Sequence, residues 1–259
     1  MRKSAVLLTA AAALLSLTCD EWNYSTLVLT AQVAKTLNPE SNSATVLLAK
    51  TTVANLLHDD WMETPEPGDS LFSPDLFPVK VTPVSGATVT LNSVPIPANP
   101  VPGVYFLPAA DLQHLARYDL DITTADGKRV TAHGFLPDSF SILAPLEGDS
   151  FGPGPVGAVW TRSDSAQTYL VGITPADSSS PAQGWADSRT DTACTIPAAA
   201  FQDTLGNFIP GDYVFSIAAV NGGWNKSGLD LFLSGGNVSG ALGVFGCAVH
   251  PRPVLIRVR

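Results

Sequence analysis

Charge is scarce in this 259-residue chain. Asp, Glu, Lys and Arg make up only 14% of it, and the bases are the smaller share, 14 Lys and Arg against 23 Asp and Glu, for a formal net charge of -9. A chain this acidic offers no electrostatic footprint for nucleic acid and no basic patch for anionic head groups, so neither is expected as a partner of the folded surface. The low charge does not signal a disordered tail either. Hydrophobic residues make up 45% of the chain, and Gly, Pro, Ser and Thr are plentiful, which is the balance of a folded all-β exported protein. Long apolar runs are missing too: the leading one, Ala5 to Leu15, falls short of the about 20 residues needed to cross a bilayer.

Histidine and cysteine are also few. His58 sits beside Asp59 and Asp60, and His114, His133 and His250 stand alone; no two have H-x-x-x-H spacing, and the three cysteines offer no C-x-x-C pair. No metal site and no cofactor are expected from these residues. G-x-S-x-G spacing occurs at Gly148 to Gly152, but in loop-like sequence without the strand-to-helix turn that makes it a nucleophile elbow. The tripeptide G-D-S occurs at Gly68 to Ser70 and at Gly148 to Ser150, both in loop-like sequence, where turn formation explains it better than a nucleophile does. Asp59, Asp60, Glu63, Glu66 and Asp69 cluster without the alternation of a calcium loop and read as a solvated acidic loop. No residue is assigned a catalytic role, and the chain is read as a non-enzyme.

What the chain does have begins at its amino terminus. Arg2 and Lys3, the apolar run and then small or polar residues up to Cys19 follow the three-part order of an export signal over residues 1–18. A signal that ends at a cysteine resembles the lipobox of bacterial lipoproteins, which implies a lipid on Cys19; Ser16 and Thr18 depart from the usual box. Removal of residues 1–18 takes away two bases and no acid, leaving the mature chain more acidic still. With Cys19 acylated, Cys194 and Cys247 remain as a pair in an oxidising compartment, and a disulfide between them is expected.

Residues 19–26 read as a short lipidated tether. Strand-like runs follow at Leu27 to Ala34 and Ala44 to Thr52, with turn formers between them, then an apolar Val53 to Leu57 and a loop from His58 to Pro78 rich in Pro and acids. Strand signals resume at Val79 to Thr82, Ala87 to Leu91 and Val104 to Leu107. A hairpin is expected at Tyr118 to Ala132, where Asp126-Gly127 supplies positive φ angles for a tight turn. Beyond about Pro137 the signals start again. Trp160 and Tyr169 to Ile173 lie on two candidate strands, Pro175 to Thr190 reads as a loop, and Ala198 to Phe201 as one helical turn. Tyr213 to Val220 is the strongest strand, and Val254 to Val258 a closing one. The expected architecture is therefore all-β, two tandem β-sandwich domains spanning residues 27–138 and 139–259 after a lipoprotein signal peptide.

The second module is similar to a fibronectin type III domain. The residues that carry the likeness are Trp160, A-x-x-Y-L-V at Ala166 to Val171, and P-G-D-Y-V-F-S-I-A-A-V-N at Pro210 to Asn221; the glycine-rich stretch Gly235 to Gly246 departs from that family. Asn237 to Gly246, the G-A-T-V-T-L run at Gly86 to Leu91 and the Y-x-L-x-I-x-x-x-D-G run at Tyr118 to Gly127 resemble segments of a family of bacterial envelope lipoproteins of unknown function. That resemblance implies an immunoglobulin-like or transthyretin-like sandwich in the first module and carries no catalytic residues. The expected function is a non-catalytic adaptor in the bacterial cell envelope, anchored at the outer membrane or cell surface rather than the inner membrane. Exposed aromatics at Trp61 and Phe72 in the first loop and at Trp185 and Trp224 in the second module would contact an envelope protein. A glycan stacked on Trp185 or Trp224 is the alternative, and an unrecognised hydrolase comes third.

Overall fold

In a computed structural model the described residues are 25–52, 82–222 and 237–259. Eighteen β-strands and two short 3-10 turns, at Pro39–Ser41 and Ala198–Phe201, are the regular elements among them. No helix of the described residues is long and apolar enough to cross a membrane. The chain is all-β, as its alternating sequence requires.

The first half supplies β1 (Ser25–Lys35), β2 (Ser43–Thr52), β3 (Thr82–Pro83), β4 (Thr88–Leu91), β5 (Val94–Pro95), β6 (Val104–Pro108), β7 (Arg117–Thr123) and β8 (Arg129–Phe135). In β1 the residues Leu27, Leu29, Ala31 and Val33 are buried at every second position, and in β7 Tyr118, Leu120 and Ile122 repeat the pattern. A period of two turns one side of each strand inward, and the two sets meet in one core. The β7–β8 hairpin forms where expected, but only Gly127 has a positive φ, +81°. Gly127 N–H bonds to the Thr124 carbonyl, and Thr124 N–H to the Lys128 carbonyl, both at 2.9 Å. This is a three-residue loop with one left-handed glycine, in place of the two positive φ angles expected.

The second half supplies β9 (Ile142–Ala144), β10 (Ser150–Phe151), β11 (Val156–Trp160), β12 (Thr168–Pro175), β13 (Trp185–Arg189), β14 (Ala193–Ile196), β15 (Gly211–Gly222), β16 (Val238–Ser239), β17 (Leu242–Val249) and β18 (Val254–Val258). A three-stranded layer, β14-β11-β9, faces β13, β12, β15 and β18, and between them lies a core of Trp160, Tyr169, Phe201, Tyr213, Phe215 and neighbours. Trp160 meets Tyr169 across the layers with centroids 5.5 Å apart, and Phe201 of the 3-10 turn packs on Tyr213 at 5.1 Å, both edge-to-face. The Tyr213 hydroxyl donates to the Ile209 carbonyl at 2.6 Å, the tyrosine corner of immunoglobulin-like sandwiches. Three strands against four, with the two-residue β10 added at the β18 edge, is a fibronectin type III-like sandwich.

The modules are not contiguous in sequence. β17 pairs in parallel with β1, from Val28↔Leu242 to Lys35↔Val249, and its Phe245, Cys247 and Val249 belong to the first core. β16 pairs with β8 of the first module. The expected span of 139–259 for the second sandwich is therefore corrected: residues 238–249 leave it between β15 and β18 and complete the first. β15 pairs with β18 along Gly211 to Phe215 and with β17 along Ala219 to Gly222. Both sandwiches thus share a single ten-stranded sheet.

The cysteines follow from this layout. Cys247 points into the first core, while Cys194, on β14, packs partly buried against the second. Both are free thiols. The expected Cys194–Cys247 disulfide is corrected, because a bridge needs Cβ atoms about 4 Å apart facing each other, and these side chains face different interiors.

Candidate functional site

A groove of about 1510 Å³ runs over the shared sheet. Its floor follows from the alternation already described: in β1 the odd residues enter the core, so Gln32 and Ala34 turn to the opposite face. Ser43 and Thr45 of β2 lie beside them. Ala248 of β17, Ala218 and Val220 of β15 and Leu170 of β12 continue the floor into the second module. The last four also pack as a small apolar cluster of their own. The floor side chains are uncharged, and all but Gln32 are small or apolar.

The rim is different. Leu37, in the turn after β1, is 70% exposed, and Phe106, on β6 opposite Thr45, is 37% exposed. Tyr105 points into the first core and donates its hydroxyl to the Val84 carbonyl at 3.0 Å, which leaves the next residue, Phe106, facing outward. The titratable groups lining the groove are Asp187, His250 and Arg252. Asp187 is paired with Arg189. His250 lies where β17 gives way to β18, its backbone N–H bonded to the Lys35 carbonyl at 2.8 Å. Burial holds its imidazole below the ordinary histidine value. Such a surface suits a ligand that is apolar or uncharged and long enough to touch both modules.

The expected site residues fall in three groups. Cys19, Trp61, Phe72 and Trp224 lie outside the described residues. Trp185 lies within them, but on strand β13, opposite Ile173, and not in the expected loop. It lines one end of the groove and packs partly buried against the second core, so it is in part a structural residue. The cysteines are separated, as described; burial pushes the Cys247 thiol up to about 12 and raises that of Cys194, with Arg189 opposing. Among the described residues no three His, Cys, Asp or Glu side chains group as metal ligands. Gly148-Asp149-Ser150 forms a turn: Gly148 has φ +83°, and the Asp149 carboxylate accepts from Leu146 N–H at 2.8 Å. Leu37, Phe106, Leu170 and His250 are groove residues that no motif announced; the one local signal was Phe106 at the outward position of a strand.

No protein-family model matches the chain, and no curated protein matches it in sequence. Among solved structures it is similar to a fibronectin type III domain of human collagen alpha-1(XX), at 18% identity over 47% of this chain and 82% of that one, TM-score 0.25. It is also similar to the fibronectin(III)-like modules of Clostridium thermocellum CbhA, at 10% identity over 89% and 92% of the two chains, TM-score 0.25. A two-domain fibronectin type III segment of chicken tenascin aligns at 11% identity over 88% and 94%, TM-score 0.24. At these scores the fold assignment rests on the strand pairing above.

Proposed function

We propose that this protein is a non-catalytic binding protein of the bacterial cell envelope, held to a membrane through a lipid on Cys19, which takes a protein partner into the groove of its shared sheet. The groove itself carries the reading. It is built from both modules, it has an uncharged floor, and it leaves Leu37 and Phe106 in water, where large apolar side chains gain most from being covered. Its position agrees with an anchored protein. β1 begins at Ser25, two residues inside the expected tether, and reaches the groove at Gln32, about 25 Å further along an extended strand. A partner would be met away from the bilayer.

A photo-crosslinking residue placed at Phe106 in cells tests this, with the same residue at Leu205, which is 84% exposed, as the control. A discrete adduct from position 106 that is lost on Leu170→Arg in a folded protein is expected. No adduct at 106, or equal adducts at both positions, overturns the groove. Intact mass of the membrane-extracted protein tests the anchor separately; a mature chain with no acyl mass on Cys19 removes it.

A glycan ligand is the second reading, favoured by one observation. Phe106 is an exposed aromatic beside the hydroxyl of Thr45 and close along the floor to Ser43 and Gln32, the stack-and-hydrogen-bond combination that a sugar ring uses. Glycan-array binding that disappears on Phe106→Ala, with no crosslinked protein in cells, would replace the first reading with this one.

A further inference from the structure

We infer that residues 238–249 act as an internal donor strand that locks the two sandwiches into one cooperative unit, so that neither module opens alone. The observation is the position of β17. It lies between β1 of the first module and β15 of the second, parallel to one and antiparallel to the other. Its pattern is buried on both faces after Leu242, as for a strand with a layer on either side. Phe245 and Cys247 fill the first core, and Ala248 packs with Ala218 and Val220 of β15 on the opposite face.

Side chains reinforce the joint. The Asn221 carboxamide at the end of β15 accepts from Phe135 N–H of β8 at 3.2 Å and donates to the Ser165 carbonyl at 2.7 Å. The Asn237 carboxamide donates to the Phe245 carbonyl at 2.6 Å and the His133 carbonyl at 3.0 Å. Opening the first sandwich would strip β17 from β15 and break these bonds; opening the second would withdraw β15 from β17. Tandem modules joined only by a linker keep separate stabilities. These two share backbone pairing and do not.

Native-state hydrogen exchange in urea on the full chain tests the inference, with β7 reporting the first module and β11 the second. These strands lie in the two outer layers, far from β17 in the pairing order. The expected result is that the slowest amides of both strands open with the same midpoint and the same urea dependence. Phe245→Ala, which removes side-chain volume from the first core only, is expected to speed exchange in β7 and β11 by the same factor. Opening of β7 while β11 stays protected overturns the inference, and the unmodified chain decides it even where the variant does not fold. The result is independent of what the groove binds.

Discussion

Gly243 is the position at which the strand exchange can be tested most sharply. It stands opposite Leu29 in the β1–β17 pairing with φ +137°. A Cβ there would collide with the Leu29 carbonyl oxygen and lie 2.9 Å from the Leu29 nitrogen. Gly127, in the β7–β8 turn, provides the control: its φ is +81° and a Cβ would meet nothing within 4 Å. Gly127→Ala therefore costs only the left-handed backbone, about 1–2 kcal/mol. Gly243→Ala meets a backbone conformation that is unfavourable for a side chain by about 1–3 kcal/mol. It must also relieve the collision by moving β17 off β1. Two lost ladder bonds at about 1 kcal/mol each and partial exposure of Phe245 at about 1–2 kcal/mol bring the total to about 4–7 kcal/mol. The difference between the variants, about 3–5 kcal/mol, corresponds to a urea midpoint lower by roughly 1–2.5 M for an m-value of about 2–3 kcal/mol/M. Equilibrium urea unfolding of both variants beside the parent is the assay. If Gly243→Ala loses no more than Gly127→Ala, then β17 is not seated against β1 in this register, and the shared sheet with its groove is wrong.

Two further outcomes follow from groups at the joint. Burial lowers the His250 pKa from its ordinary 6.5, so the unfolded chain takes up the proton first as pH falls; the stabilising share is complete above about 6.5 and is lost below it. The urea midpoint is expected to drop between pH 7.5 and 5.5, well above the range in which the lowered carboxyls of Asp177, Asp203 and Asp212 protonate, and His250→Gln should flatten that slope; an unchanged slope refutes the assignment. The thiols make a separate prediction for non-reducing conditions: alkylation of the unfolded mature protein should find both Cys194 and Cys247 free, whereas in the folded protein Cys194 reacts first and Cys247, fully buried with its thiol pushed up to about 12, only on unfolding. A mass two hydrogens lower than that of the reduced chain would restore the disulfide.

Elements whose own residues carry the period were legible in the sequence. Val254–Val258 shows its own bounds in its apolar alternation, and Tyr213 to Val220 stands out as the heart of β15, because β-branched and aromatic residues run there without charges. β13 was not legible. Trp-Ala-Asp-Ser-Arg has no β-branched residue, and it is a strand because β12 offers it an edge. β17 hid behind its glycines. Gly243-Val244-Phe245-Gly246-Cys247-Ala248 lacks any polar side chain, the mark of a strand buried on both faces, but Gly-rich composition reads first as loop. Counting cysteines suggested a bridge; only the layer each one faces could deny it. The groove was the least legible feature, since Gln32, Phe106, Leu170 and Ala248 are far apart in sequence and are brought together only by the β1–β17 pairing.

The same pairing decides which surface is open to a partner. A ten-stranded sheet has free edges, and β13 is one of them, so addition of a partner strand there would be the obvious alternative to the groove. The register argues against it. Asp187 stands opposite Val171, and Arg189 opposite Tyr169, and both of those partners are core residues. Side chains directly opposite on paired strands share a face, so the two charges sit on the inward side of the edge strand, paired with each other. A strand docked along β13 would extend the core face over this ion pair and desolvate it, which is how natural sheets discourage edge pairing. The groove floor itself carries no charge. It is made of Ala, Ser, Thr, Gln, Leu and Val, and the rim exposes Leu37 and Phe106, so a ligand seated on the floor covers apolar surface, with Asp187 and Arg252 the charged groups elsewhere in the lining. The edge is defended and the groove floor is not, which favours the face built jointly by the two sandwiches over the edge as the surface for the proposed partner.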